Sequence, residues 1–272
     1  MRHLLILIVV TYLGTLFSCK SKQTDNEQNT QSSISQLMDT SKQKVIQKIE
    51  GEIIKFNYYD FNDLRNNKHY DRFFAGNLIL TTGQVVCTDP MYRELALPQT
   101  WTVKPGNYPV FLYIALDDDF GGRVAYAELV IKNETPTEWK MSLIPEHLLA
   151  DSFERKMNGM YPVENGLSSF ADYETFKTYN QEIESFYAAN KNGNFYNEIL
   201  EPLFQKNINI PKSSRGEDWV DYKPKQTNAN IIMFGSGLGD GLYARYVGYD
   251  KNNNVVKLIT DFIRVSENSD DE

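Results

Sequence analysis

Apolar positions along this chain follow two periods, and the change from one to the other divides it. Short β-branched and aromatic runs at 77–81, 85–88, 108–116, 124–131 and 138–144 are separated by turn residues, which predicts strands. The separators are Thr82-Gly83-Gln84, Lys104-Pro105-Gly106-Asn107 and the stretch 117–122, all of which tolerate or preset turn dihedrals. The run at 108–115 is almost continuously apolar, as expected of a strand covered on both faces. Further on the period lengthens: after Asp172, placed as an N-cap, Phe176, Tyr179, Ile183, Phe186 and Tyr187 recur at helical spacing up to Ala189. A second helix is predicted over 195–206 with Ile199, Leu200, Leu203 and Phe204 inward, and Pro202 should bend it or mark its restart. The segment 210–228, with Pro211 and Pro224, reads as a surface loop. Strands return at 231–234, 242–249 and 255–265, the last two as an antiparallel hairpin. The predicted class is therefore α+β: a mainly antiparallel, sandwich-like β domain over 51–265, with a central helical insertion and a C-terminal β-meander.

The ends differ from this domain. Residues 4–17, LLILIVVTYLGTLF, are apolar but shorter than the roughly 20 residues that span a bilayer. With Arg2 before them and Ser18 after, residues 1–18 read as a signal peptide. Leu16-Phe17-Ser18-Cys19 resembles the lipobox of bacterial lipoproteins, in which cleavage precedes the cysteine and acyl chains are attached to it. That resemblance implies a membrane partner reached through lipid on Cys19, with the outer membrane favoured over the inner by Lys20; ordinary secretory cleavage is the alternative. Residues 19–50 are rich in Ser, Gln, Asn and Thr and read as a tether closed by a short helix. A flexible stretch of about 22 residues spans roughly 25 Å. The tail 266–272 is acidic and is expected to be disordered.

Composition narrows the function. With 28 basic against 36 acidic residues and a net charge of -8, the chain lacks the excess of Lys and Arg that drives nucleic-acid binding. Two cysteines exclude a disulfide scaffold, and Cys87, within Val85-Val86-Cys87, reads as a small buried hydrophobe. After processing only His69 and His147 remain, and neither HExxH nor CxxC is present, so no metal or cofactor is implied. Asp250-x-Asn252-x-Asn254 echoes a calcium loop, but Val255 stands where the loop needs glycine, which makes it a hairpin turn.

The most distinctive string is Gly235-Ser236-Gly237-Leu238-Gly239-Asp240-Gly241-Leu242-Tyr243. In an extended chain its glycines would share one bare face open to a ligand or partner, and Gly237→Val would then remove binding while leaving the fold intact. The alternative is a tight turn that needs positive φ. It matches no phosphate loop, dinucleotide fingerprint or nucleophile elbow. Asp89, Asp240 and Asp261 stand at strand ends and, if they converged, would suit a hydrolase with or without a divalent cation. The chemistry-bearing surface thus comprises Asp89, Gly235, Ser236, Gly237, Gly239, Asp240, Gly241, Tyr243 and Asp261.

Taken in order, several segments resemble the bacterial family known as domain of unknown function 4241. They are Leu80-Thr81-Thr82-Gly83 through Asp89-Pro90, Lys104-Pro105-Gly106-Asn107-Tyr108-Pro109, Trp139, Phe170-Ala171-Asp172, the glycine string, and Thr260-Asp261-Phe262. The resemblance covers about residues 75 to 265 and implies no activity and no catalytic residue. A lipid-anchored envelope module that binds a ligand or protein is the leading expectation; the Asp-cluster hydrolase and a purely structural role are the others.

Overall fold

The computed structural model describes residues 61–92, 96–116, 119–207 and 219–264. The expected signal peptide, Cys19, the tether, the acidic tail and Asp117-Asp118 lie outside them.

Twelve strands among the described residues pair throughout in antiparallel fashion and form two sheets. The larger has the order β1 (Tyr70–Leu80), β4 (Gly106–Ala115), β5 (Val124–Val130), β12 (Val255–Asp261), β11 (Gly241–Tyr249), β6 (Glu138–Met141), and β7 (Met160–Val163) also pairs with β11. The smaller has the order β3 (Pro98–Thr102), β2 (Gln84–Thr88), β8 (Leu167–Asp172), β10 (Ile231–Gly235), β9 (Trp219–Tyr222). The chain passes between the sheets four times: β1 to β2, β3 to β4, β7 to β8 and β10 to β11.

The pairing explains why β2, β8 and β10 carry little alternation. Paired residues share a face, so Cys87, Phe170 and Ile232 point one way, while Val86, Ala171 and Ile231 point the other. The second set packs on the helices in one cluster with Phe176, Tyr179, Ile183, Phe195, Leu200 and Phe204. The smaller sheet is thus covered on both faces, and apolar residues are selected at both parities.

Helix α2 (Tyr173–Ala189) follows the short α1 (Ser152–Lys156) and buries Phe176, Tyr179 and Ile183 of the predicted stripe, whereas Phe186 is half-buried and Tyr187 is exposed. Asp172 caps it by accepting from the Glu174 amide. The second predicted helix is two pieces: a π turn, Tyr196–Leu200, and α3 (Glu201–Lys206). Pro202 stands in the first turn of α3, where a missing N–H costs nothing, so it marks a restart.

Four strands depart from the sequence expectations. β3 and β7 are short, β8 carries Ser168 and Ser169 inside, and β9 lies within the segment expected to be a loop. The serines are tolerated because each is hydrogen-bonded, Ser168 to the Tyr161 hydroxyl and Ser169 to the Thr88 carbonyl. The C-terminal β11–β12 hairpin forms as expected, whereas β10 belongs to the other sheet. Among the described residues no helix is long and apolar enough to cross a membrane.

The first two crossings lock together at Gly83, whose φ is +78° and whose carbonyl accepts from the Val103 amide at 3.0 Å. A Cβ there would lie 1.9 Å from the Val103 oxygen, so only glycine fits. The neighbouring Asp172 carboxylate accepts from the Thr82 amide and hydroxyl at 2.8 Å each and from the Thr81 hydroxyl at 2.9 Å. One buried side chain therefore holds a sheet crossing and starts a helix. Asp172→Ala is expected to cost about 3 kcal/mol or more, since a cap and several charge-assisted bonds are lost together, with urea denaturation as the measurement.

Candidate functional site

The glycine string is the fourth crossing. β10 ends at Gly235 and β11 begins at Gly241, and between them Gly237 and Gly239 have φ of +64° and +94°. Of the two readings open from the sequence, the string is the turn with positive φ, and the extended, one-sided glycine face is not formed. Ser236 and Tyr243 both donate their hydroxyls to the Gly239 carbonyl at 2.8 Å. The Ser236 amide donates to the Gly166 carbonyl at 3.0 Å, and Asp240 accepts the Gly166 amide at 3.0 Å, so this turn is tied to the third crossing.

Asp89 serves the same junction. It is fully buried; one oxygen accepts the Met91 amide at 2.8 Å, and the other accepts the Glu164 and Asn165 amides at 2.9 and 3.0 Å. Asp89 and Asp240 thus divide three consecutive amides, 164–166, between them. Both carboxylates satisfy backbone donors that a sheet crossing leaves without ladder partners.

Asp261 stands elsewhere, at the end of β12 between Tyr126 and Ala244. Its carboxylate is ion-paired to Arg264, whose Nε donates to it at 2.6 Å. Burial pushes the Asp261 carboxyl up, and the Arg264 charge opposes that rise. Asp261, Arg264, Met160, Leu242 and Phe262 line a cleft of about 240 Å³. Beside it Leu242 is 41% exposed, and Leu238, at the tip of the glycine turn, is 51% exposed. Among the described residues no three His, Cys, Asp or Glu side chains stand where they could hold a metal ion. The calcium-like segment is a hairpin turn in which Asp250 accepts the Asn252 and Asn254 amides at 2.8 Å each.

Sequence reasoning missed Arg245. It lies on β11 and is fully buried between the sheets; burial pushes its pKa down, opposed by Cys87 and Tyr161. Its guanidinium donates to the carbonyls of Ser142 and Cys87 at 3.1 Å each and of Met160 at 3.5 Å, and it lies 5.7 Å from the Tyr161 ring centroid. Around it the Tyr161 hydroxyl is hydrogen-bonded to Ser168 at 2.7 Å and to Thr260 at 2.6 Å. Cys87 is a buried free thiol, as expected, and burial pushes its pKa up to about 11, so it is protonated and unreactive at neutral pH. The one sequence clue to Arg245 was a charged residue in the middle of the apolar strand YARYV.

Two substitutions separate space from backbone conformation. At Gly237 a Cβ would meet the Val124 carbonyl at 2.6 Å and Phe262 at 2.9 Å, whereas at Gly239 nothing lies within 4 Å. Gly239→Ala is expected to cost about 1 kcal/mol for its positive φ alone. Gly237→Ala should cost at least about 3 kcal/mol, because packed atoms must also move. Denaturant titration of the two proteins measures the difference.

The segments that build these crossings are those that carried the family resemblance, and a direct comparison agrees. The family model described as "Protein of unknown function (DUF4241)" matches residues 78–260. Comparison with curated proteins finds no match, and comparison with solved structures finds none either. The match spans most of the chain, from within β1 to within β12, and the protein belongs to the DUF4241 family.

Proposed function

We propose that this domain is a binding module of the bacterial cell envelope, held to a membrane by acyl chains on Cys19, and that it meets a protein partner with the surface built on the glycine crossing. The observation that carries the reading is the pair Leu238 and Leu242, exposed leucines on and just after a turn locked by Ser236, Tyr243 and Asp240. Apolar side chains on a rigid turn lose little freedom when a partner covers them, so their burial converts efficiently into affinity. The cleft lined by Met160, Leu242, Phe262, Asp261 and Arg264 offers a partner side chain apolar surface together with an ion pair. The anchor is supported by the apolar segment 4–17 and the Leu16-Phe17-Ser18-Cys19 sequence, and one cysteine carrying several chains would bind far more firmly than a single chain. This role calls for no cofactor and no nucleic acid.

A hydrolase reading is favoured by one observation only, the Asp261 carboxyl raised by burial within a cleft. Its other two members, Asp89 and Asp240, are engaged with backbone amides of the third crossing.

Gly237→Val, suited to an extended string, would here break the fold, so the test uses the leucines. Photo-crosslinking from position 238 in cells should give a discrete protein adduct that Leu242→Ser removes and Phe74→Ser, at another exposed apolar position, leaves unchanged. No adduct, or one indifferent to Leu242→Ser, would contradict the docking surface. In the same cells Cys19→Ala should abolish labelling by a fatty-acid probe and release the protein from membranes; continued labelling would refute the anchor.

A further inference from the structure

A second cavity, of about 290 Å³, lies on the helical layer, away from the glycine crossing. Its apolar wall is formed by Phe186 of α2, Phe195 and Ile199, and the last of these sits on the π turn Tyr196–Leu200. The two rings meet edge to face with centroids 5.4 Å apart, leaving aromatic surface toward the space between them and Ile199. π turns are rare and frequently occur at functional sites.

The polar wall comprises Thr178, Ser185, Asn190, Lys225, Gln226 and Glu182, and the Glu182 side chain is 13% exposed. One of the Glu182 oxygens accepts the Lys225 amide at 3.2 Å. The other, Oε1, accepts no hydrogen bond among the described residues. Its ion-pair partner among the described residues is the Lys225 ammonium at 3.7 Å, on a side chain 80% exposed. A carboxylate so far out of water is costly unless donors saturate it, and a long solvated lysine at that separation is a weak counter-ion. Burial, together with the charge of Glu182 and a hydrogen bond to its carboxylate, pushes the adjacent Tyr222 phenol up.

We propose that this cavity binds a small organic ammonium ion with an aromatic or apolar body. The ammonium takes the place of Lys225 and donates to Glu182 Oε1, while the body lies against Phe186, Phe195 and Ile199. Three features select that class. The carboxylate asks for a cationic donor, the rings attract a cation and cover its hydrocarbon, and the volume suits a compact molecule.

Calorimetric titration of the full chain with 2-phenylethylammonium and its neutral analogue 2-phenylethanol tests this. The amine should bind at one saturable site at least about tenfold more tightly than the alcohol, and Glu182→Gln should weaken it by about the same factor. Lys225→Ala should strengthen amine binding about threefold, an effect that a merely structural Glu182 would not produce. Ser185→Trp, at an exposed position on the rim, should block the site without touching the core and serves if Glu182→Gln fails to fold. Equal affinity for the alcohol, no gain with Lys225→Ala, or binding that survives Ser185→Trp would each overturn the assignment.

Discussion

The guanidinium of Arg245 sits inside the sandwich, out of reach of water, and is satisfied by backbone carbonyls alone. Taking such a cation from water costs several kcal/mol even after relaxation, and the cost is recovered only if every donor finds an acceptor in good geometry. The acceptors belong to three separate parts of the chain: Cys87 on β2 of the smaller sheet, Ser142 just beyond β6, and Met160 on β7 of the larger. Arg245 therefore fixes how the sheets face each other at this end. It also fixes where β7 leaves toward the third crossing, which Asp89 and Asp240 then hold. Leu242 and the cleft of the proposed docking surface lie at the start of the same strand, β11, that carries the guanidinium, and Leu238 lies on the turn just before it.

Acidic residues in this domain are used largely to build. Asp172 holds the first crossing and caps α2, Asp89 and Asp240 share the third, and Asp250 closes the last hairpin. A carboxylate suits a sheet crossing because the backbone there turns several N–H groups away from any ladder, and one anion accepts from two or three of them. Glu128 shows a different use. Burial would push its carboxyl up, but Lys257, Arg72 and the Tyr113 hydroxyl outweigh burial and hold it below its ordinary value. A four-residue polar group thus braces the larger sheet.

What the sequence disclosed follows from the range of the interactions. β2, β4, β5, β6, β10, β11, β12, α2 and the last part of β1 are local patterns bounded by turn residues and were legible, whereas residues 70–76 of β1 were not legible as strand. β8 was hidden because Ser168 and Ser169 are paid for by partners elsewhere in the chain, and β9 because prolines surround it. The glycine string announced itself, but whether its glycines lie extended or turn depends on contacts with Gly166, Val124 and Phe262 that no spacing reveals. Asp89 was legible as the start of an Asp-Pro turn and illegible as the anchor of amides about 75 residues away. Arg245 left almost no trace, since its partners are carbonyl oxygens, which every residue possesses.

Equilibrium urea denaturation of Arg245→Lys tests the central claim most directly. Lysine keeps the positive charge but cannot fork to three carbonyls, so the donors lost, and not the charge, are what the measurement reads. A loss of about 3 kcal/mol or more is predicted, as for a buried polar network left partly unsatisfied. An unchanged midpoint and slope would show that the sheets are held without the guanidinium and would contradict the account.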